Sequence, residues 1–234
     1  LAATAPQLAG CSLIYEHPEY LVVDKPSGLL SQPGLGSRQS DSLITRLQDC
    51  CPELRLVHRL DRDTSGLILV ARNQSSLRSL SALFAVRRVH KLYLADVVRP
   101  LSGRRGSIQL PLARLQRMPP VYGPHPDGKP CCTLWRKWTQ STNCTRLWLR
   151  PLTGRSHQLR AHLAAVGAPI SADRIYTSSD ALGPMHLHAY ALSFKDPFDN
   201  RRVRVRSALP SWAQQDWAQV DWPQAEKLRF AGMG

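Results

Sequence analysis

The chain has 234 residues, enough for one large domain or two halves with a substantial core, and 43% of them are hydrophobic. Its formal net charge is +14, from 31 basic and 17 acidic residues, and 25 of the basic residues are arginine, whose planar fork pairs with phosphate and stacks on bases. No apolar run approaches the roughly 18 residues of a membrane span, and the six cysteines show no CxxC spacing, which excludes the common metal and thioredoxin-type patterns. A domain of this size needs no disulfides and no secretory signal precedes it, so reduced thiols in a cytoplasmic protein are expected.

Residues 12–24 alternate as a hairpin, SLIYE and YLVVD around the turn His17-Pro18-Glu19. Asp41 is placed to cap a short helix with Leu43, Ile44 and Leu47 on one face. A strand over Leu67–Ala71 and a helix from about Ser75 to Arg87 follow, the helix turning Leu77, Leu80 and Phe84 inward. The next strand, Lys91–Val98, sets Tyr93 on the face opposite Leu92 and Leu94. Residues 99–130 are rich in Pro, Gly and Arg and read as an irregular insertion with one short strand near Ser107–Leu110. Strands near Cys132–Trp138 and Thr145–Arg150 lead to a helix from about His157 to Val166, with Gly167 as its C-terminal cap. Two alternating strands, His186–Phe194 and Arg201–Arg206, close the pattern. Strands outnumber helices and hairpins dominate, so the expected class is α+β with a mixed, mostly antiparallel sheet. The expected organisation is an N-terminal tail over 1–11, one folded domain over 12–218 and a C-terminal tail over 219–234.

The most informative stretch is Leu56 to Arg72, LVHRLDRDTSGLILVAR. His58, Arg59 and Arg62 crowd Asp61 and Asp63, and 11 basic residues face 3 acidic ones between Arg55 and Arg105. Opposite charge at close range favours an ionised carboxylate, which suits a nucleophile or electrostatic stabiliser better than a general acid. A surface ion-pair network on a loop fits the charge pattern equally well.

HRLDRDTSGLILVA resembles the active-site motif of the RluA-type pseudouridine synthases, which isomerise uridine in RNA. Four further stretches match in the family's order: VVDKPSGLLSQPG (Val22–Gly34), HKLYLA (His90–Ala95), LRPLTGRSHQLRAHLAAVGAPI (Leu149–Ile170) and LHAYALSF (Leu187–Phe194). The resemblance implies a mixed central sheet and two halves around a catalytic cleft. Many members of the family carry an S4-type RNA-binding domain, and with about eleven residues ahead of the first strand none is expected here. The resemblance makes Asp61 the nucleophile, attacking either C1′ of the ribose or C6 of the uracil. Arg155 becomes the cation that pairs with it, and Tyr93 the aromatic that stacks on the target base. Arg59 is implied to enter the RNA stack beside the flipped nucleotide. His58 and Arg62 accompany it at the RNA, Lys25 lines the site as scaffold, and Leu159 and Leu187 wall the uracil pocket.

The reaction breaks the N1–C1′ bond and rejoins the base through C5, so it calls for no redox cofactor, metal or nucleotide. His157 and His162 are five apart, and His186 and His188 share a strand face without a third ligand, so a metal site is not expected. Expected partners are RNA alone, rRNA and/or a tRNA stem-loop, with the chain a monomer away from membranes. One departure stands out. Where relatives commonly read G-H-P-I-L-G-D, this chain has Gly167-Ala168-Pro169-Ile170-Ser171-Ala172-Asp173, which bears on a loop after the helix.

Two rival readings differ in class. Asp63-Thr64-Ser65-Gly66 faintly resembles the D-T/S-G turn of aspartic proteases, which need two carboxylates sharing a proton; the chain has one copy, set among cations. A catalytically inactive RNA-binding protein on the synthase scaffold is the other, and intact Asp61, Tyr93 and Arg155 argue against it.

Overall fold

The computed structural model describes residues 7–34, 36, 39–140, 144–177 and 182–214. In chain order the elements are β1 (Gln7–Leu8), β2 (Cys11–Glu16), β3 (Tyr20–Lys25), α1 (Leu43–Cys50), β4 (Arg55–Leu56), β5 (Ser65–Ala71), α2 (Gln74–Ala85) and β6 (His90–Val97). There follow β7 (Arg105–Ile108), β8 (Leu112–Gln116), β9 (Val121–Pro124), β10 (Thr133–Gln140), β11 (Thr145–Pro151), α3 (Gln158–Ala165), β12 (Leu187–Lys195), β13 (Arg202–Arg206) and α4 (Ser211–Gln214). The class is α+β, as the hairpin-rich pattern required, and every ladder whose register is fixed below is antiparallel.

Contacts divide the chain into two compact units. The first comprises Leu1–Lys91 with Ala189–Ser207, the second Leu92–His188 with Ala208–Gly234. In the first unit the strands run β1-β2-β3-β5-β12, with β13 beside β12 and β4 beside β5. The predicted hairpin is β2–β3, and β3 then pairs along its whole length with β5, Tyr20 opposite Ala71 and Lys25 opposite Gly66. Tyr20, Val22, Leu67, Leu69, Ala71, Leu192, Phe194, Val203 and Val205 share one core with Leu80 of α2, and Leu77 and Phe84 pack on its edge. Leu21, Val23, Ile68 and Val70 point the other way and are also buried. The uninterrupted run LILVA therefore reports a strand buried on both faces. In β13 the alternation is clean, Val203 and Val205 inward and Arg202, Arg204 and Arg206 exposed.

α1 begins where the sequence placed it, but Ser42 caps it in place of Asp41. The Ser42 hydroxyl accepts from the Thr45 N–H and the Thr45 hydroxyl accepts from the Ser42 N–H, a reciprocal box that Asp41 is too far back to make. Asp41 instead takes a bidentate grip from Arg46 at 2.6 and 2.7 Å on the surface.

In the second unit the order is β6-β11-β10-β7, with β8–β9 as a separate hairpin. The stretch 99–130 is thus more regular than composition suggested, carrying β7, β8 and β9 where one strand was expected. The N-terminal tail also contains structure, since Gln7–Leu8 pairs with Cys11 and Ser12; the expected C-terminal tail lies outside the described residues.

Two buried ion pairs hold this unit. Arg146 of β11 grips Asp96 of β6 at 2.7 and 2.8 Å and donates to the carbonyls of Trp212 and Ala213, fastening α4. Burial works against the Asp96 carboxylate, yet Arg146 and His186 outweigh it and hold its pKa below the usual range. Arg160 of α3 grips Asp173 at 2.7 and 2.8 Å, and Asp173 accepts the N–H groups of Ile175 and Tyr176 as well. This fixes the loop after α3, and Ala172 there adopts φ +58°, the left-handed region. A Cβ in that region costs about 1–2 kcal/mol, and glycine would lose about 0.4–1 kcal/mol of it again to unfolded-chain entropy. Ala172→Gly is therefore expected to stabilise the protein by about 0.5–1 kcal/mol, read as a higher urea midpoint at unchanged slope.

Candidate active site

β4 leads into Val57–Thr64, and the chain re-enters the sheet at Ser65. Gly66 adopts φ +110°, and a Cβ on it would lie 2.4–2.8 Å from backbone atoms of Ala189 in β12. The Ser65-Gly66 step is thus required for β12 to lie against β5, and it puts the end of the preceding turn in a fixed place.

That turn, Leu60 to Asp63, has each of its four carbonyls bound. The Ser31 hydroxyl donates to the Leu60 carbonyl at 2.7 Å and accepts the Leu60 N–H at 3.1 Å. The Asp61 carbonyl takes the Thr64 N–H at 3.2 Å. The Arg62 carbonyl takes both the Gly28 N–H and the Lys25 ammonium at 2.9 Å, and the Asp63 carbonyl takes the Ser27 hydroxyl at 2.7 Å. Three of the four are thus held from the single segment Lys25–Ser31.

Lys25 is fully buried, and besides Arg62 it donates to the carbonyls of Pro26 and Leu29, each at 2.8 Å. Burial lowers its pKa to about 8, while Asp63, Cys11, Asp61 and Asp24 pull it upward. With its three N–H bonds directed at three backbone carbonyls, Lys25 is an internal brace of the loop; the structure gives it no solvent-facing atom with which to meet RNA.

Asp61 itself is half-buried, and Arg59 and Arg62 are exposed. Arg62 pairs with its neighbour Asp63 at 3.1 Å, a surface ion pair worth at most about 1 kcal/mol. His58 has a framework position. Its Nε2 accepts the Leu69 N–H at 3.0 Å, and its ring stacks on Phe84 at 4.7 Å. Burial, reinforced by Lys91, pushes its pKa down to about 3, so at neutral pH it is an uncharged hydrogen-bond acceptor.

In the second unit, Tyr93 lies on β6 opposite Leu149 of β11. It is 9% exposed against 8% for Leu92 and 0% for Leu94, so the alternation does not separate the three by burial. Arg155 is exposed and sits in the turn before α3. That turn is organised by Gln158, which the sequence reading passed over. Its Oε1 accepts the Thr153 hydroxyl at 2.7 Å and the Arg155 N–H at 3.0 Å, and its Nε2 donates to the Cys132 carbonyl and the Thr133 hydroxyl. Leu159 and Leu187 are buried, the first on α3 and the second at the start of β12.

An α+β chain with a basic surface and an aspartate on a rigidly held turn has the attributes of an enzyme acting on nucleic acid, and comparison with known proteins defines which kind. The model of the RNA pseudouridylate synthase family matches residues 19–165. The dual-specificity RNA pseudouridine synthase RluA of Vibrio parahaemolyticus is 39% identical over 194 residues, covering 79% of this chain and 78% of that protein. The protein of the same name from Escherichia coli K12 is 39% identical over 197 residues, covering 82% and 90%. Among solved structures, human RNA pseudouridylate synthase domain containing 1 superposes with a TM-score of 0.74 at 28% identity over 88% of this chain and 86% of that one. The chain belongs to the RNA pseudouridylate synthase family. It is an isomerase that converts uridine in RNA to pseudouridine.

The burial of His58 has a pH consequence. Its folded pKa lies below the ordinary 6.5, so the stability it contributes is complete above pH 6.5 and is lost as pH falls towards 3. Wild type should lose up to about 1.4 kcal/mol per pH unit in that window that a His58→Gln variant does not lose. Urea unfolding of the two proteins between pH 7 and 4 measures the difference.

Proposed function

We propose that this enzyme modifies uridines in rRNA and in a tRNA stem-loop, with Asp61 as the nucleophile. The two-substrate reading is supported by relatives whose names describe dual-specificity RNA pseudouridine synthases. The observation that supports Asp61 is the turn it occupies. Its backbone neighbours on both sides are fixed by hydrogen bonds, while its side chain stays half-exposed. A carboxylate that must meet one carbon atom of a flipped nucleotide gains from being held in one place beforehand.

The other roles rest on the family motifs. Tyr93 offers a ring to the detached uracil and a phenol for the C5 proton. Arg155 offers a guanidinium able to hold a carboxylate through two hydrogen bonds. The exposed guanidinium of Arg59 suits the gap left in the RNA stack, since a planar cation both stacks and hydrogen-bonds there. We assign the enzyme to act as a monomer in the cytoplasm. No helix among the described residues is long and apolar enough to cross a membrane.

Asp61→Asn tests the nucleophile, and the choice of transcripts tests the two substrates. Transcripts of large-subunit rRNA and of tRNA carrying 5-tritiated uridine should release tritium with wild type and not with the variant. Circular dichroism and RNA affinity should match in the two proteins. A variant retaining more than a few per cent of turnover would refute the assignment, and a wild type that turns over only one of the two RNAs would refute the two-substrate reading. Tyr93→Phe should keep RNA affinity, because stacking survives, and lose turnover if the phenol moves the proton; single-turnover rates separate the two.

A further inference from the structure

Between them, the loop 60–63 and the segment 25–31 contain one side chain that grips both backbone groups of a single residue. It is Ser31, 3% exposed, whose hydroxyl donates to the Leu60 carbonyl and accepts the Leu60 N–H. Leu60 immediately precedes Asp61 and is itself buried at 8% exposure. Two backbone groups at such a depth need partners, and here one hydroxyl supplies both. Ser31 is tied down in turn. The Leu30 carbonyl accepts the Leu43 N–H at 2.7 Å and the Ser31 carbonyl accepts the Ile44 N–H at 3.2 Å, two of the N–H groups that the first turn of α1 leaves without a helical acceptor.

We infer that Ser31 is a positioning residue of the isomerisation, transmitting the rigid N-terminus of α1 to the backbone of Asp61 through Leu60. This rests on the reading of Asp61 as nucleophile. Lys25, Gly28 and Ser27 hold the carbonyls on the far side of Asp61, so the backbone downstream is fixed independently of Ser31. Upstream, the Leu60 N–H and C=O both depend on the one hydroxyl. Losing it frees the entry to the turn while the exit stays braced, which swings the Asp61 side chain about its downstream anchor. A displacement of about 1 Å at a reacting group can lower a rate about 100-fold, so the residue acts on turnover and leaves RNA binding to the exposed surface.

The test compares wild type with Ser31→Ala, Ser31→Thr and Asp61→Asn on the tritiated rRNA and tRNA transcripts, measuring single-turnover rate and RNA affinity separately. Ser31→Ala is expected to slow the chemical step by about 10- to 100-fold with RNA affinity within threefold of wild type. Ser31→Thr keeps the hydroxyl and should recover most of the rate. Hydrogen exchange at the Leu60 amide should accelerate in the Ala variant and not in the Thr variant. If Ser31→Ala fails to fold, Ser31→Cys, which keeps the shape with a weaker hydrogen bond, takes its place with the same expectation. The inference is overturned if the hydroxyl-free variant turns over within twofold of wild type, if Ala and Thr are equally impaired, or if the loss lies in affinity alone. Should Asp61→Asn remain active, the nucleophile reading fails instead, whatever the Ser31 variants do.

Discussion

Every buried backbone carbonyl must find a donor, and around Asp61 that requirement shapes the enzyme. Four successive carbonyls in an irregular turn lack the regularly spaced N–H donors of a helix or ladder, and among them the Asp61 carbonyl takes a donor from within the loop, the Thr64 N–H. Donors for the other three come from the segment Lys25–Ser31, which supplies a lysine, two serines and a glycine amide. Satisfying one such group contributes about 1 kcal/mol net, but leaving one bare in the interior costs about 1–3 kcal/mol. The turn is therefore specified less by its own residues than by a neighbouring segment whose side chains are short, polar and aimed at main chain. The same segment explains why a charged lysine survives full burial. Three carbonyl dipoles and the nearby carboxylates repay part of the desolvation that lowers its pKa.

The arginines divide into two populations with opposite physics. Arg146 and Arg160 are buried and each faces a buried aspartate through two parallel bonds, geometry that only a guanidinium offers. Removing one partner of such a pair costs about 3–5 kcal/mol, because the other charge is stranded. These pairs are electrically neutral, so the whole net charge of +14 falls on the remainder of the molecule. Exposed arginines such as Arg59, Arg62 and the row Arg202, Arg204 and Arg206 belong to that remainder. Their charge favours a polyanion without choosing its sequence, since phosphate contacts carry affinity and register and little base information. A basic surface accordingly fits the family's RNA substrate and is silent on which uridine is chosen.

Periodicity made the strands and helices legible, because a sheet and its covering helix repeat their burial every two and every three to four residues. It failed where a residue's partner is remote in sequence. Asp41 and Ser42 are both good caps, and the choice between them lay in Thr45, whose hydroxyl completes the box at Ser42. The strands β8 and β9 were hidden by Pro, Gly and Arg, which argue for loop in any local window, and their pairing with each other is a property of the hairpin. At the site, charge pattern offered Asp61 as a nucleophile or stabiliser alongside a bland ion-pair network, and the family motifs named it together with Tyr93 and Arg155. The framework position of His58 was not legible, because the ring it stacks on, Phe84, is 26 residues along the chain. Gln158 and Ser31 carried one signal that could have found them. Small hydroxyl and amide side chains within otherwise apolar or turn-forming stretches are there to serve backbone groups.

The loop after α3 shows how a fold absorbs local backbone strain. Ala172 holds a left-handed backbone at a cost of about 1–2 kcal/mol. The next residue explains why the conformation persists. Asp173 is 0% exposed, takes two bonds from Arg160 and two from the backbone amides of Ile175 and Tyr176, and could not leave without stranding a buried guanidinium. Breaking that arrangement would cost about 3–5 kcal/mol, more than the strain it enforces. Upstream, the Ser171 N–H donates to the Asp96 carbonyl at 2.8 Å and its carbonyl accepts the His186 N–H at 3.0 Å, so Ala172 is anchored on both sides. The strain is local and outweighed, and for that reason a residue with a Cβ is held here in a conformation that glycine would adopt at lower cost.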